Sequence, residues 1–161
     1  STGSLGHGLS LAIGMAINAR LEKRDYRTFV LLGDGECNEG TVWEAALCAG
    51  KHRLANLTAI IDYNKMQCYG EVSEVMPLEP FADKWRSFNF SVSEVDGHDP
   101  AALRRAFQET AQLPSRPSAI ICHTVKGKGI ASMEGNPAWH HKTGLTVEVI
   151  DALIGKLKAG R

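Results

Sequence analysis

Asp34 lies between two glycines at the end of an apolar run at 29–32, and Asn64 lies just past a second such run at 57–62. A tight turn needs one glycine and no acid. Flanking glycines let the backbone approach a bulky anion and leave N–H groups to face phosphate oxygens. Asp34 would repel that phosphate unless a cation stood between them. Magnesium fits, because it takes oxygen ligands in an octahedron and commonly uses one or two carboxylates plus substrate phosphates. Asn64 offers an amide oxygen without further charge, and a backbone carbonyl just beyond it completes the protein's share. The alternative is an Asp and an Asn that merely cap turns, which is ordinary for either residue alone. The pair at successive strand ends favours the metal.

Elements that hold such a pair can be read from the pattern. Apolar or alternating runs of strand length fall at 28–32, 57–62, 90–95 and 118–124. Between them lie helical repeats. Leu9, Ile13, Ala16, Ile17 and Arg20 mark one, with Ala12, Gly14 and Ala19 small enough for close packing. Trp43, Ala46, Leu47 and Gly50 mark another. Asp99-Pro100 is a helix start, a capping acid followed by proline at the first helical position, and Leu103, Ala106, Phe107 and Thr110 then share a face. A last helix begins near Thr146 and aligns Ile150, Leu153, Ile154 and Leu157. This alternation predicts an α/β fold, a doubly wound, mostly parallel sheet with helices on both faces. Ligands of such folds bind beyond the carboxyl ends of the strands, where Asp34 and Asn64 stand. Residues 70–80 and 127–144 are expected as surface loops, with the acids of 71–79 solvated.

With 161 residues, 43% of them hydrophobic, the chain suits one compact domain over 1–161. A formal net charge of zero gives no reason to expect nucleic acid or an anionic membrane as partner. No apolar run approaches the roughly 20 residues of a membrane helix. Cys37, Cys48, Cys68 and Cys122 form no C-x-x-C pair and read as free thiols of a cytoplasmic protein. The chain opens at Ser1-Thr2-Gly3 without a methionine, so an upstream segment is expected to be missing.

G-D-G at 33–35 with Asn64 resembles the thiamine-diphosphate motif of transketolases. "STGSLGHGLSLAIGMA" resembles that family's glycine loop and following helix, and "GDGECNEGTVWEAA" its version of the motif. "VKGKGI" and "NPAWHH" resemble the segments that reach the cofactor from the far end of the domain. The resemblance implies the diphosphate-binding domain of the thiamine-diphosphate fold. It implies a divalent metal (magnesium, or calcium or manganese) held by Asp34, Asn64 and the Met66 carbonyl. Gly35 would offer its N–H to the diphosphate, with Glu36 beside it. Gly3, Ser4 and Leu5 would touch the pyrimidine end of the cofactor. Lys126 matches a cofactor-site lysine, and a cation beside a diphosphate makes electrostatic sense; taken alone, a strand-end lysine is more often solvated. His140 matches a catalytic histidine near diphosphate and substrate. The family has glycine next and this chain has His141, so a shift of one residue would make His141 the active group; His140 is preferred. Glu39 matches a catalytic-site glutamate of the dimer interface, or is a helix-start acid favoured by the macrodipole. His7, His52, His98 and His123 are expected to be structural or exposed, and Trp43 and Trp85 to sit in a core or interface.

The implied activity is transfer of a two-carbon ketol unit from a ketose to an aldose, in carbohydrate metabolism of the pentose phosphate type. The family's pyrimidine-binding domain has no counterpart here. The chain is therefore expected to be the N-terminal subunit or fragment of a transketolase. It would be silent without a C-terminal subunit, and the two would form a dimer of heterodimers acting on sugar phosphates. Rivals are deoxyxylulose-phosphate synthase, dihydroxyacetone synthase, a 2-oxo acid dehydrogenase component, and a non-catalytic assembly subunit. A nucleotide-binding domain is disfavoured, because neither G-x-G-x-x-G after the first strand nor a P-loop signature occurs.

Overall fold

The computed structural model describes residues 3–68, 70–112, 115–140 and 142–159. In chain order the elements are α1 (Gly8–Leu21), β1 (Thr28–Gly33), a 3-10 turn (Gly35–Asn38), α2 (Gly40–His52) and β2 (Leu57–Tyr63). Then come β3 (Met66–Gln67), β4 (Gly70–Glu71), α3 (Val72–Val75), α4 (Phe81–Ser87), β5 (Ser91–Asp96) and α5 (Pro100–Ala111). β6 (Ser118–His123), a 3-10 turn (Pro137–Trp139) and α6 (Val147–Ala159) follow.

The main sheet runs β1-β2-β6-β5 with every neighbouring pair parallel. Register decides what happens at its carboxyl edge. Gly33 pairs with Asp62, and Tyr63 pairs with His123, so β1, β2 and β6 end side by side. Asp34, Asn64 and Thr124 are thereby delivered to one edge. The expected α/β fold is the one observed.

The two faces are covered unequally. Leu32, Leu57, Ala59, Ile61, Ala119 and Ile121 point to one side, against α1, α2 and α4. Small residues Ala12, Ala16 and Ala19 are buried in α1, which lets that helix lie close to the sheet. On the other side Ile120 and Cys122 meet Ala106 of α5, with Leu103 and Phe107 packed around them. α5 starts as expected: the Asp99 carboxylate accepts the Ala101 N–H at 2.8 Å, and Pro100 opens the helix. Beyond α5 the second face is bare, leaving Phe29 and Leu31 of β1 exposed.

Two differences from the sequence reading stand out. Residues 70–80 are not a solvated loop. They hold β4, which closes a two-residue hairpin with β3, and the single turn α3, and they bury Val72 and Leu78. α4 then inserts Phe81 and Trp85, both fully buried, beside Trp43 and Phe90; Trp85 lies 5.2 Å from Trp43 and 5.0 Å from Phe90, ring to ring. Elements of two to seven residues are too short for a periodic signal. The α6 stripe forms as a helix, yet Ile150, Ile154 and Leu157 remain partly open to solvent. Residues 127–144 stay irregular apart from one 3-10 turn.

Glu79 is likewise tied down. Its carboxylate accepts the Tyr63 hydroxyl at 2.5 Å and the Phe81 N–H at 2.8 Å. The Tyr63 bond chiefly, then the Phe81 bond, holds this carboxyl below its ordinary value. A lowered folded-state value means that the contribution to stability is complete above the ordinary carboxylate value and disappears as pH falls through the lowered one. Glu79→Gln is expected to cost about 0.5 kcal/mol at neutral pH, the low end for one solvent-screened hydrogen bond. The difference should vanish in acid, and urea midpoints of both proteins along a descending pH series check it.

Candidate active site

At the end of β1 the chain turns sharply and Asp34 caps the 3-10 turn that follows. Its carboxylate is only 2% exposed. One oxygen accepts the Gly35 N–H at 2.7 Å and the other the Lys65 N–H at 2.5 Å. The Asp34 N–H donates to the Asp62 carbonyl at 3.2 Å. Burial pushes this carboxyl above its ordinary value and nearby Asp62 adds to the rise; the Gly35 and Lys65 amides and the Lys126 ammonium work against it. A buried carboxylate so short of positive charge is a natural partner for a cation.

Asn64 follows β2 in a tight turn. Its amide oxygen accepts the Met66 N–H at 3.0 Å, and its amide nitrogen donates to Asp62 Oδ2 at 3.2 Å. Lys65 between them has a positive φ of 66°, a costly conformation for a residue with a side chain, and its ammonium lies over the Tyr63 ring. Asp34 and the turn at 64–66 are therefore joined by a direct hydrogen bond. Each Asp34 oxygen and the Asn64 oxygen use one acceptor site and keep another. This set of hard oxygens suits magnesium or calcium. Among the described residues no group of three or more His, Cys, Asp or Glu could hold a metal ion, in keeping with a set that has only one such side chain.

Glu36 serves the scaffold. Its two carboxylate oxygens accept the N–H of Gly6 at 3.0 Å and of Gly33 at 3.1 Å, which pins the glycine loop to the strand end. The Thr41 hydroxyl fastens the same loop by donating to the Gly6 carbonyl at 3.1 Å. Gly6 has φ +82°, and a Cβ there would lie 2.7 Å from Glu39 Cβ. Gly3, Ser4 and Leu5 are exposed on this loop. Glu39 is the N-cap of α2, exposed and without a capping bond from its side chain, so it stands apart from the Asp34 cluster.

Lys126 is half-buried and lines a cavity of about 560 Å³ with Asp62, Asn64, Thr124 and His98. His140 ends the second 3-10 turn, with its Nε2 at 3.4 Å from Cys68 Sγ in the β3–β4 turn. The segment that follows Asn64 is thus also the one that meets His140. His141 lies outside the described residues. His98 Nε2 accepts the Val125 N–H at 2.8 Å, and His123 pairs with Glu94 at 3.0 Å, both structural bonds. Asp62, Thr124, Gln67 and Cys68 were not singled out by the sequence. Asp62 looked like the last residue of a strand, and only its pairing across the sheet shows otherwise.

Residues 1–157 match the family described as transketolase, thiamine diphosphate binding domain. The chain is 45% identical over 141 residues to one of the two chains of an apulose-4-phosphate transketolase from Phocaeicola vulgatus, a match covering 88% of this chain and 50% of that protein. It is 42% identical over 158 residues to a 6-deoxy-6-sulfo-D-fructose transketolase subunit of a Clostridium species, covering 98% and 57%. A crystal structure of transketolase from Campylobacter jejuni superposes with a TM-score of 0.88 at 29% identity, covering 98% of this chain and 26% of that one. The chain belongs to the transketolase family. It spans about half the length of the curated transketolase subunits it matches.

In this transketolase domain Gly35 is a steric requirement. A Cβ on it would stand 2.8 Å from Gln67 Cβ, where the β3–β4 hairpin folds back on the site. Gly35→Ala is expected to destabilise by about 1–3 kcal/mol, the usual cost of overpacking. Gly40→Ala, where a Cβ meets nothing within 4 Å, is the control. Equal denaturation midpoints for the two variants would show that the close approach carries no cost.

Proposed function

We propose that this chain is the N-terminal subunit or fragment of a transketolase that moves a two-carbon ketol unit from a ketose to an aldose, using thiamine diphosphate and a divalent cation. The observation that carries the proposal is the direct bond from the Lys65 N–H to Asp34, which unites a buried carboxylate with the Asn64 turn. Relatives named as subunits of transketolases support the split form, with a C-terminal subunit bearing the pyrimidine-binding domain and a hetero-oligomeric assembly. The sugars in those two names differ, so the donor and acceptor here are taken only as ketose and aldose phosphates or related sugars. Among the described residues no helix is long and apolar enough to cross a membrane. The four free thiols favour a cytoplasmic setting.

When bound, thiamine diphosphate supplies a thiazolium carbon that attacks a carbonyl and stores the electrons of the broken carbon–carbon bond. The chain's own work is grip and proton handling. Asp34, the Asn64 amide oxygen and the Met66 carbonyl would hold the cation, with magnesium first and calcium or manganese as substitutes. The cation removes the repulsion between Asp34 and a diphosphate. Gly35 keeps the backbone close to that anion, Lys126 adds a positive charge, and Gly3, Ser4 and Leu5 offer an exposed loop to the other end of the cofactor. His140 carries an imidazole able to donate or accept a proton from a substrate hydroxyl near neutral pH. Glu39, exposed at the start of α2, is placed to meet another subunit.

The deciding experiment titrates thiamine diphosphate by tryptophan fluorescence, with magnesium or with chelator, on the protein with its partner subunit. Binding should need magnesium, and Asp34→Ala should lose the magnesium-dependent part, at least about 10-fold in affinity, with the circular dichroism spectrum unchanged. Identical binding in chelator rules out the metal. Absence of cofactor binding under every condition favours a non-catalytic assembly subunit.

A further inference from the structure

Asp62 touches more of the site than any residue that the sequence nominated. It sits at the end of the central strand β2, half-buried. Its carbonyl accepts the Asp34 N–H. One carboxylate oxygen accepts the Thr124 hydroxyl from the end of β6, and the other accepts the Asn64 amide nitrogen at 3.2 Å. Three strand ends therefore converge on one side chain.

An asparagine amide has an oxygen and a nitrogen of nearly equal shape, so sterics alone do not decide which way it faces. Here the network decides. The amide nitrogen has an acceptor in Asp62, and the amide oxygen has a donor in the Met66 N–H at 3.0 Å. Turning the amide over would set its nitrogen against the Met66 N–H and its oxygen against the Asp62 carboxylate, unfavourable at both ends. It would also offer hydrogens where a cation needs a lone pair. We propose that Asp62, itself held by the Thr124 hydroxyl, is a positioning residue that fixes the Asn64 amide with its oxygen turned into the loop that Asp34 grips. The arrangement places two carboxylates close together, a like-charge cost that burial makes worse. A neutral side chain would satisfy Thr124 without that repulsion. Fixing the ligand atom accounts for the carboxylate, because outer partners of metal ligands typically set affinity by orienting them.

This inference rests on the metal reading above, and the test separates the two. The protein with its partner subunit is saturated with thiamine diphosphate and titrated with magnesium, followed by tryptophan fluorescence; thiamine diphosphate is then titrated at saturating magnesium. Asp62→Leu, which removes both acceptors, is expected to weaken the apparent magnesium constant about 10- to 100-fold. Its thiamine diphosphate affinity at saturating magnesium should stay near that of wild type, whereas general damage to the site would move both. Asp62→Asn keeps an acceptor for the Asn64 amide nitrogen and should restore most of the magnesium affinity. Thr124→Val should show a smaller loss and Thr124→Ser none, a pair that decides the matter should Asp62→Leu fail to fold. A magnesium constant unmoved by Asp62→Leu overturns the inference alone, as does an Asp62→Asn protein as weak as Asp62→Leu, or a Thr124→Ser protein as weak as Thr124→Val. Magnesium-independent binding by the wild type overturns the metal reading and this inference with it.

Discussion

A carboxylate almost wholly removed from water stands at the end of β1, and the fold around it is arranged to tolerate that. Burying an unpaired charge is costly, and the two backbone amides that reach Asp34 offset only part of the cost. Those amides come from the residue after it and from the turn beyond β2, so the carboxylate can be satisfied only if the two strands end in register. Parallel pairing of Gly33 with Asp62 provides this. The electrostatics of one side chain and the alignment of the central strands are in this sense one constraint.

The packing beneath serves that alignment. α1 and α2 fit closely because their buried positions are largely alanine, and the glycine loop entering α1 is fastened to the strand end through Glu36 and Thr41. From the opposite side the aromatic cluster of Trp43, Phe81, Trp85, Phe88 and Phe90 wedges α2 against α4 and β5. Trp43 Nε1 also donates to the Cys37 carbonyl at 2.8 Å, within the 3-10 turn that Asp34 caps. The apolar core thus reaches the site through a hydrogen bond as well as by contact. Tightness at Gly50 shows how little slack remains, since a Cβ there would lie 2.0 Å from the Phe88 carbonyl oxygen.

Much of this was legible from residue order. The four runs of strand length, the Asp99-Pro100 helix start and the glycine–aspartate turn each have strong local signals, and each lies within a residue or two of where the structure has it. α4 and the β3–β4 hairpin were not legible. They are shorter than the periods that reveal helices and strands, and the glutamates among them read as solvent-facing until Tyr63 and Phe81 are seen to bind Glu79. Asp62 was hidden for a different reason. Its partners, Thr124 and the Asp34 backbone, are remote in sequence and adjacent only across the sheet, so no local pattern contains them. Glu36 was expected beside the cofactor as a neighbour of Gly35; its bonds to two glycine amides give it a structural task that spacing could not express.

The residues proposed to grip and those proposed to react differ in how they are supported. Asp34 and Asn64 sit directly on strand ends, where ladder bonds and buried neighbours hold them. Lys126 and His140 bracket a segment without regular structure, apart from one 3-10 turn. That segment is folded on itself by the Gly135 N–H to the Lys126 carbonyl, the Gly129 N–H to Glu134, and the Lys128–Glu134 ion pair. Gly127 is forced there, since its φ is +77° and a Cβ would meet the Met133 carbonyl oxygen at 2.5 Å. Such a segment is stiff within itself yet joined to the sheet at few points, one of them the Cys68–His140 contact. A metal grip must reproduce oxygen positions to fractions of an ångström, which strand ends can do. A group that meets a variable sugar gains from a mounting that can be altered without disturbing the sheet, and loops on a rigid scaffold provide one. The division between strand-borne and loop-borne residues thus follows from the different tolerances of the two tasks.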